Sequence, residues 1–145
     1  MPPLYTIGYQ GRSLDDFLAL LEREEISCIV DVRKNAISRK PGFSKTKLKD
    51  ALKNKDISYI HIGSLGIESK YRKNLTAKKD YLSLFKYYKH NILPQQQKEI
   101  TNLIQMAQKK RLALLCYEYD PDICHRSIIA EQVCKYSTIN LHHII

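Results

Sequence analysis

The stretch that decides the fold is LALLCYEYDPDICHRSIIAEQV, residues 112–133. It opens with the run LALLCY, which is typical of a strand that is buried on both faces. A polar connector follows, in which Asp122 can cap a helix that we expect to continue to about Tyr136. A strand, a connector and a helix in this order form the repeating unit of folds that pack helices on a parallel sheet.

The same alternation extends over the rest of the chain. Short apolar runs predict strands at 4–9, 28–32, 57–62, 112–117 and 138–144. Helices are expected after the capping residues Ser13 and Ser44, along the apolar stripe 81–88, and from Pro94, which would break that stripe and open the next helix. No repeat or linker-like tract divides the chain. The sequence therefore predicts an α/β fold: a single three-layer domain over residues 1–145, with a mostly parallel sheet of about five strands flanked by helices.

Composition argues against membrane and secreted classes. No apolar run approaches the roughly 20 residues of a membrane-spanning helix, and the N-terminal MPPLYTIGYQ lacks the features of a signal peptide. In the cytosolic protein that this suggests, cysteines are expected to be reduced thiols. The four cysteines contain no CxxC pair of the kind found in zinc ribbons: they are Cys28, Cys116, Cys124 and Cys134. We expect the side chains of Cys28 and Cys134 to be buried and to have no chemical role.

Positive charge is the second compositional signal. The chain carries a formal net charge of +9, from 24 Lys and Arg against 15 Asp and Glu. Residues 33–55 hold nine basic side chains and one acid, and residues 70–89 hold seven and one. Such tracts attract polyanions, although many are only solvated surface. Tyrosines interleave with the second tract, but Tyr81 and Tyr88 share a helical stripe with apolar residues and are predicted to be core.

Polar side chains cluster where the predicted strands end. In open parallel sheets, ligands bind outside the carboxyl ends of the strands. Reactive or charged residues follow four of the strands, namely Tyr9, Arg33, Arg39, His61, Cys116, Glu118, Cys124, His125 and Arg126. We therefore expect one shared pocket at that edge.

Five segments carry a family resemblance. They are TIGYQGRSLDDFLALL (6–21), DVR (31–33), SRKPGFSKTKL (38–48), YIHIGSLG (59–66) and LLCYEYDPDICHRSIIAE (114–131). In this order they resemble the domain-of-unknown-function family 488, small α/β proteins found mainly in bacteria and archaea. The resemblance implies an α/β fold and supplies no reaction. One segment reads GSLG where the family pattern leads us to expect a glycine pair after the leucine, so we expect a less open loop there.

Three arginines are the candidates for holding an anion: Arg33, Arg39 and Arg126. Guanidinium groups bind phosphate and carboxylate through paired hydrogen bonds, and the helix start near 122–124 would add free backbone N–H groups. An anionic small molecule or nucleic acid is the expected partner, and Tyr9 and His61 would shape its pocket. In the alternative reading, Arg33 forms a structural salt bridge with Asp31.

Glu118, Cys124 and His125 are the candidates for chemistry. A thiol in the first turn of a helix beside His125 and Arg126 should have a lowered pKa, which would suit a nucleophile. The loop of sulfurtransferase and cysteine-phosphatase folds needs an arginine six residues after its cysteine, and Cys116 is followed there by Asp122. Glu118 could transfer protons or only orient an arginine.

We expect neither a metal nor another cofactor. Cys116, Glu118, Cys124, His125 and His61 are metal-ligand types, but the pattern C-x-E-x5-C-H matches no standard site. Adjacent residues on a helix also point about 100° apart, which would separate Cys124 from His125.

Two functions remain open at this point. The first is a small cytosolic enzyme, a hydrolase or transferase, whose Arg-lined pocket binds a phosphate-bearing substrate related to nucleotides or nucleic acid. The second is a non-catalytic nucleic-acid-binding module that uses the tracts 33–55 and 70–89. A structural or partner-binding protein is a third reading, and the sequence leaves the oligomeric state open.

Overall fold

The computed structural model describes all residues, Met1–Ile145, and contains one five-stranded sheet. Every pair of neighbouring strands is parallel, and the order across the sheet is β3-β2-β4-β1-β5. The strands are β1 (Leu4–Gly8), β2 (Cys28–Asp31), β3 (Ser58–His61), β4 (Leu112–Cys116) and β5 (Leu141–His143). All five predicted strands are present, and each is one to four residues shorter than predicted.

Five α-helices connect the strands. They are α1 (Leu14–Arg23), α2 (Lys45–Lys53), α3 (Lys78–Tyr87), α4 (Gln97–Lys109) and α5 (His125–Lys135). Ser13 caps α1 as predicted, because its hydroxyl accepts from the Asp16 N–H at 3.1 Å. Ser44 occupies the N-cap of α2, but its hydroxyl bonds the backbone of Ser38 and leaves the helix uncapped. None of the helices combines the length and the apolar character that crossing a bilayer requires.

Two predicted helix starts are displaced. After α3 the chain continues through a π turn, Tyr88–Ile92, and a 3-10 turn, Leu93–Gln96, before α4 begins at Gln97. Pro94 therefore lies in the 3-10 turn and does not open α4. Similarly, the 3-10 turn Pro121–Ile123 precedes α5, so Asp122 does not cap this helix.

The core has the predicted three layers. Strand residues alternate between the two faces of the sheet, so Ile7 and Leu115 pack with α1 and α2 in one apolar cluster. Leu4 and Leu114 face the opposite cluster, which contains residues of α3, α4 and α5. Tyr88 belongs to that second cluster and is fully buried, which confirms the prediction that it is core.

The carboxyl ends of β1, β2 and β4 lie side by side at one edge of the sheet. The connector between β4 and α5 passes directly over the end of β1. A Cβ atom added to Gly8 would lie 1.8 Å from the backbone oxygen of Glu118. Only glycine fits so close an approach, and it fixes the connector against the sheet.

Candidate functional site

A cavity of about 380 Å³ opens at this edge, and we call it the edge pocket. Segments that follow β1, β2, β3 and β4 all contribute to its lining. The chemically relevant lining residues are Tyr9, Arg33, Lys34, Arg39, Arg72, Cys116, Glu118 and His125. A larger groove of about 680 Å³ lies beside β3 and α4, but it lacks a comparable set of reactive groups.

Five of the eight predicted site residues line the edge pocket, namely Tyr9, Arg33, Arg39, Glu118 and His125. Cys124, Arg126 and His61 do not. His61 faces the larger groove, and its Nε2 lies 2.8 Å from the backbone oxygen of Arg33. Its ring therefore contacts the outside of the loop that follows β2, not the cavity.

Arg33 forms the salt bridge that was the alternative reading of this residue. Its Nε and Nη2 donate to the two carboxylate oxygens of Asp31 at 2.9 and 2.6 Å. Nη1 donates to the Phe43 backbone oxygen at 2.8 Å and to the Tyr9 hydroxyl at 3.1 Å. Burial alone would lower the pKa of Arg33, but the Asp31 carboxylate outweighs it and raises that pKa. Arg33 thus builds the pocket wall, and its contact with an anion stays a prediction.

Arg126 is also engaged with the protein itself. Its side chain is fully buried. Its Nη1 donates to the backbone oxygen of Glu118 at 2.6 Å, and Nη2 to that of Tyr119 at 3.3 Å. The Nε atom has no hydrogen-bond partner. Because the guanidinium points into the connector, it holds the connector in shape and does not reach the edge pocket.

Arg72 is a pocket residue that the sequence analysis missed. It lies in the 3-10 turn Ser69–Arg72, and its Nη1 donates to Glu118 Oε1 at 3.0 Å. Burial alone would lower the pKa of Arg72, but Glu118 outweighs it and raises that pKa. Conversely, burial would raise the pKa of Glu118, and Arg72 holds it below its ordinary value. Glu118 is therefore ionised at neutral pH.

The sequence offered little to single out Arg72. It follows no strand directly and belongs to no helical pattern, so nothing local separates it from the other cations of the tract 70–89. Only the folded chain brings this turn to the carboxyl edge of the sheet.

Two thiols and an imidazole meet beneath the pocket. Cys116 ends β4, and its Sγ lies 3.6 Å from His125 Nδ1 and 3.3 Å from Glu118 Oε2. Cys116 Sγ, Cys124 Sγ and one ring nitrogen of His125 all lie within 4.8 Å of one another. The expectation that the side chains of Cys124 and His125 point away from each other is wrong. Cys124 is the N-cap of α5 with extended backbone, φ −141° and ψ 138°, and is not a helical residue.

The expected lowering of the Cys124 pKa is also wrong. The thiol is 2% exposed. Burial raises the pKa of Cys124 well above its ordinary value, and the neighbouring Cys116 raises it further. Cys116 is the thiol that lines the edge pocket, so the pocket-facing sulfur sits at the end of the strand and not at the start of the helix.

His125 has a defined tautomer. Its Nε2 lies 2.8 Å from the backbone oxygen of Val32. A carbonyl oxygen can only accept, so Nε2 carries a proton, and in the neutral ring the lone pair is on Nδ1. That lone pair is on the side of Cys116 Sγ and of Arg72, whose Nη2 lies 3.5 Å from Nδ1. Nδ1 can therefore accept a proton from a thiol or bind a metal ion.

The fold and the pocket define a single-domain α/β protein with a polar site at the carboxyl edge of a parallel sheet. The family model described as Domain of unknown function DUF488 matches residues 13–133, and the chain belongs to this family. The match covers most of the chain and confirms the resemblance noted in the sequence. No curated protein and no solved structure matches the chain.

Proposed function

We propose that this protein is a small enzyme, a hydrolase or transferase, that binds a phosphate-bearing substrate related to nucleotides or nucleic acid in the edge pocket. One observation carries the proposal. The cavity combines basic side chains for an anion with a thiol, a carboxylate and an imidazole, at the edge where parallel sheets bind ligands. A cavity of this volume accommodates a small molecule or the end of a longer one.

The anion would contact Arg39 and Arg72. Arg39 is exposed and forms no salt bridge, so its guanidinium is free to pair with a phosphate. Arg72 is 30% exposed, and a phosphate could share it with Glu118. Lys34 lines the same cavity and adds a third cation. Arg33 would act mainly by holding Tyr9 in place.

The chemical step would use the groups beside Cys116. His125 Nδ1 has the lone pair of a general base, and Glu118 is positioned by Arg72. Cys116 is the pocket-facing thiol, while Cys124 would support it from beneath. A cytosolic location belongs to the proposal, because all four cysteines are free thiols.

Titration calorimetry with a set of nucleotides and short oligonucleotides tests the binding step. Arg39→Ala and Arg72→Ala should each weaken binding roughly 10- to 100-fold, since a charge-assisted hydrogen bond contributes about 1.5–3 kcal/mol. Arg23→Ala is the matched control, because Arg23 is 62% exposed and lies outside the cavity. Equal affinities for all three variants would refute the pocket. For a ligand that binds, His125→Asn should abolish turnover and retain binding.

A non-catalytic nucleic-acid-binding module is the second candidate. Helix α2 favours it, because Lys45, Lys47, Lys49 and Lys53 are all exposed and form no salt bridge. Binding along a phosphate backbone falls steeply with salt and weakens gradually as lysines are removed. A double Lys45→Ala, Lys47→Ala variant should therefore weaken binding under this candidate and leave it unchanged for the pocket.

A further inference from the structure

We propose that Cys116, Cys124 and His125 form a binding site for Zn²⁺, with Sγ, Sγ and Nδ1 as the three protein ligands. The three ligand atoms lie within 4.8 Å of one another, and all three residues are buried. The proposal does not depend on the cations of the phosphate pocket, since it rests on Cys116, Cys124 and His125, the first and last of which line that pocket. A bound metal ion would occupy His125 Nδ1, and Glu118 would then be the proton-transfer group of the pocket.

The separation of two of the ligand atoms, Cys116 Sγ and His125 Nδ1, fits a tetrahedral centre. Zinc lies about 2.3 Å from a thiolate sulfur and about 2.0–2.1 Å from a histidine nitrogen. Tetrahedral angles then separate the sulfur from the nitrogen by about 3.5 Å. Cys116 Sγ and His125 Nδ1 are 3.6 Å apart. A metal ion would therefore need little movement of these two side chains.

The backbone around the three ligands is well fixed. Cys116 is the last residue of β4, Cys124 is the N-cap of α5, and His125 is the first residue of that helix. The connector between them is held by Arg126 and by the Ser127 hydroxyl, which donates to the Pro121 oxygen at 2.5 Å. Ligands on ends of regular elements, joined by a fixed connector, are favourable for a preformed metal site.

The outer partner of His125 also matches a metal ligand. Histidines that bind metals commonly donate their second ring N–H to a backbone carbonyl or a carboxylate, which fixes the tautomer and the ring orientation. Here Nε2 donates to the Val32 oxygen at 2.8 Å, and Nδ1 is left with its lone pair beside the two thiols. The same bond would hold the ring still when the metal binds.

Charge and ligand type favour zinc over harder cations. Two thiolates and a neutral imidazole are soft or borderline ligands, which select zinc in preference to magnesium or calcium. Two thiolates neutralise the two charges of the ion, and the nearby Glu118 and Arg72 neutralise each other. Because Cys116 and His125 line the edge pocket, the fourth coordination position would be open to it. Three protein ligands with an open position are typical of catalytic zinc sites.

Cobalt titration of the metal-free, reduced chain tests the site. We expect thiolate-to-cobalt charge-transfer absorption that saturates at one ion per chain, and displacement of that ion by Zn²⁺. Cys116→Ser and Cys124→Ser should each weaken Co²⁺ binding by more than about 100-fold, because loss of even an outer-shell partner commonly costs 10- to 100-fold. Cys134→Ser is the control, since Cys134 lies near the end of α5 and is not among the three ligands. This control should bind Co²⁺ as the wild type does.

Several results would overturn the proposal. A reduced wild-type chain that gives no charge-transfer band has no such site, and this holds even if the variants fail to fold. A Cys116–Cys124 disulfide that persists in reducing buffer, counted as two missing thiols, would also refute it, as would equal weakening by Cys134→Ser. The titration contains no phosphate ligand, so it can fail or succeed independently of the binding experiment on Arg39 and Arg72.

Discussion

Replacing Arg126 by methionine should destabilise the protein without directly removing an anion contact. The substitution keeps most of the side-chain volume and removes the guanidinium. The backbone oxygens of Glu118 and Tyr119 then lose their donors inside the protein. Methionine cannot replace either hydrogen bond, so the connector between β4 and α5 should loosen.

The magnitude follows from the two acceptors. A buried polar group left without its partner costs about 1–3 kcal/mol. Both of these hydrogen bonds are only partly buried, so the lower half of that range applies, which gives about 2–4 kcal/mol for the pair. The variant no longer buries an unpaired charge, and this gain offsets part of the loss. We therefore expect a net destabilisation of about 1–3 kcal/mol. In a chain of this size, each kcal/mol lowers Tm by roughly 2–4 °C.

Urea and thermal unfolding, followed by circular dichroism, measure this loss. Arg23→Met is the control, because Arg23 is 62% exposed and its replacement should change stability by less than about 0.5 kcal/mol. The reasoning is refuted if Arg126→Met has the same urea midpoint and the same Tm as Arg23→Met and yet no longer binds nucleotides. Arg126 would then be an anion ligand, as the sequence suggested, and its contacts with the connector would be dispensable.

Three further outcomes are expected from the same unfolding assays. Gly8→Ala should destabilise by about 1–3 kcal/mol or more, because the new Cβ would lie 1.8 Å from the Glu118 oxygen; stability equal to wild type would contradict this close approach. Asp31→Asn should cost about 3–5 kcal/mol by leaving a buried Arg33 unpaired, and adding Arg33→Met should restore part of the loss. Burial lowers the pKa of His143, so the unfolded chain takes up a proton at a higher pH than the folded chain does. The free energy of unfolding should therefore be level above about pH 6.5 and fall as the pH drops below that value. His143→Asn should flatten this decline.

The fold was largely predictable because its signals are local. Runs such as LALLC are buried on both faces, and helical stripes alternate with them, so chain order alone indicated a parallel sheet. The differences occur where one position has two uses. Serine is a common N-cap residue, yet the Ser44 hydroxyl forms hydrogen bonds with the backbone of Ser38 in the preceding loop. Pro94 can open an α-helix or a 3-10 turn, and here it lies in a 3-10 turn.

The site was less predictable because it depends on side-chain direction. Sequence position placed Arg33, Arg39 and Arg126 at one edge, but it could not say which guanidinium faces the cavity. Asp31, two residues before Arg33, forms a salt bridge with that arginine, and carbonyl oxygens of the connector accept hydrogen bonds from Arg126. Arg72 arrives from a turn with no pattern of its own. Only tertiary contacts bring Arg72 to the pocket, whereas the Asp31–Arg33 salt bridge is a local contact that the sequence had left as one of two readings.

One helix boundary has a chemical consequence beyond secondary structure. A shift of the helix start from Asp122 to His125 makes Cys124 an N-cap with extended backbone, and its thiol then converges with His125. N-caps are usually Ser, Thr, Asp or Asn, whose oxygens accept from the first turn, and Cys124 makes no such bond. Cys124 breaks this preference at a buried position where we propose a metal ligand, and such local exceptions are expected at functional sites. Cys124→Ser should therefore gain a cap of about 1 kcal/mol while removing the thiol, so this variant separates loss of metal binding from loss of folding.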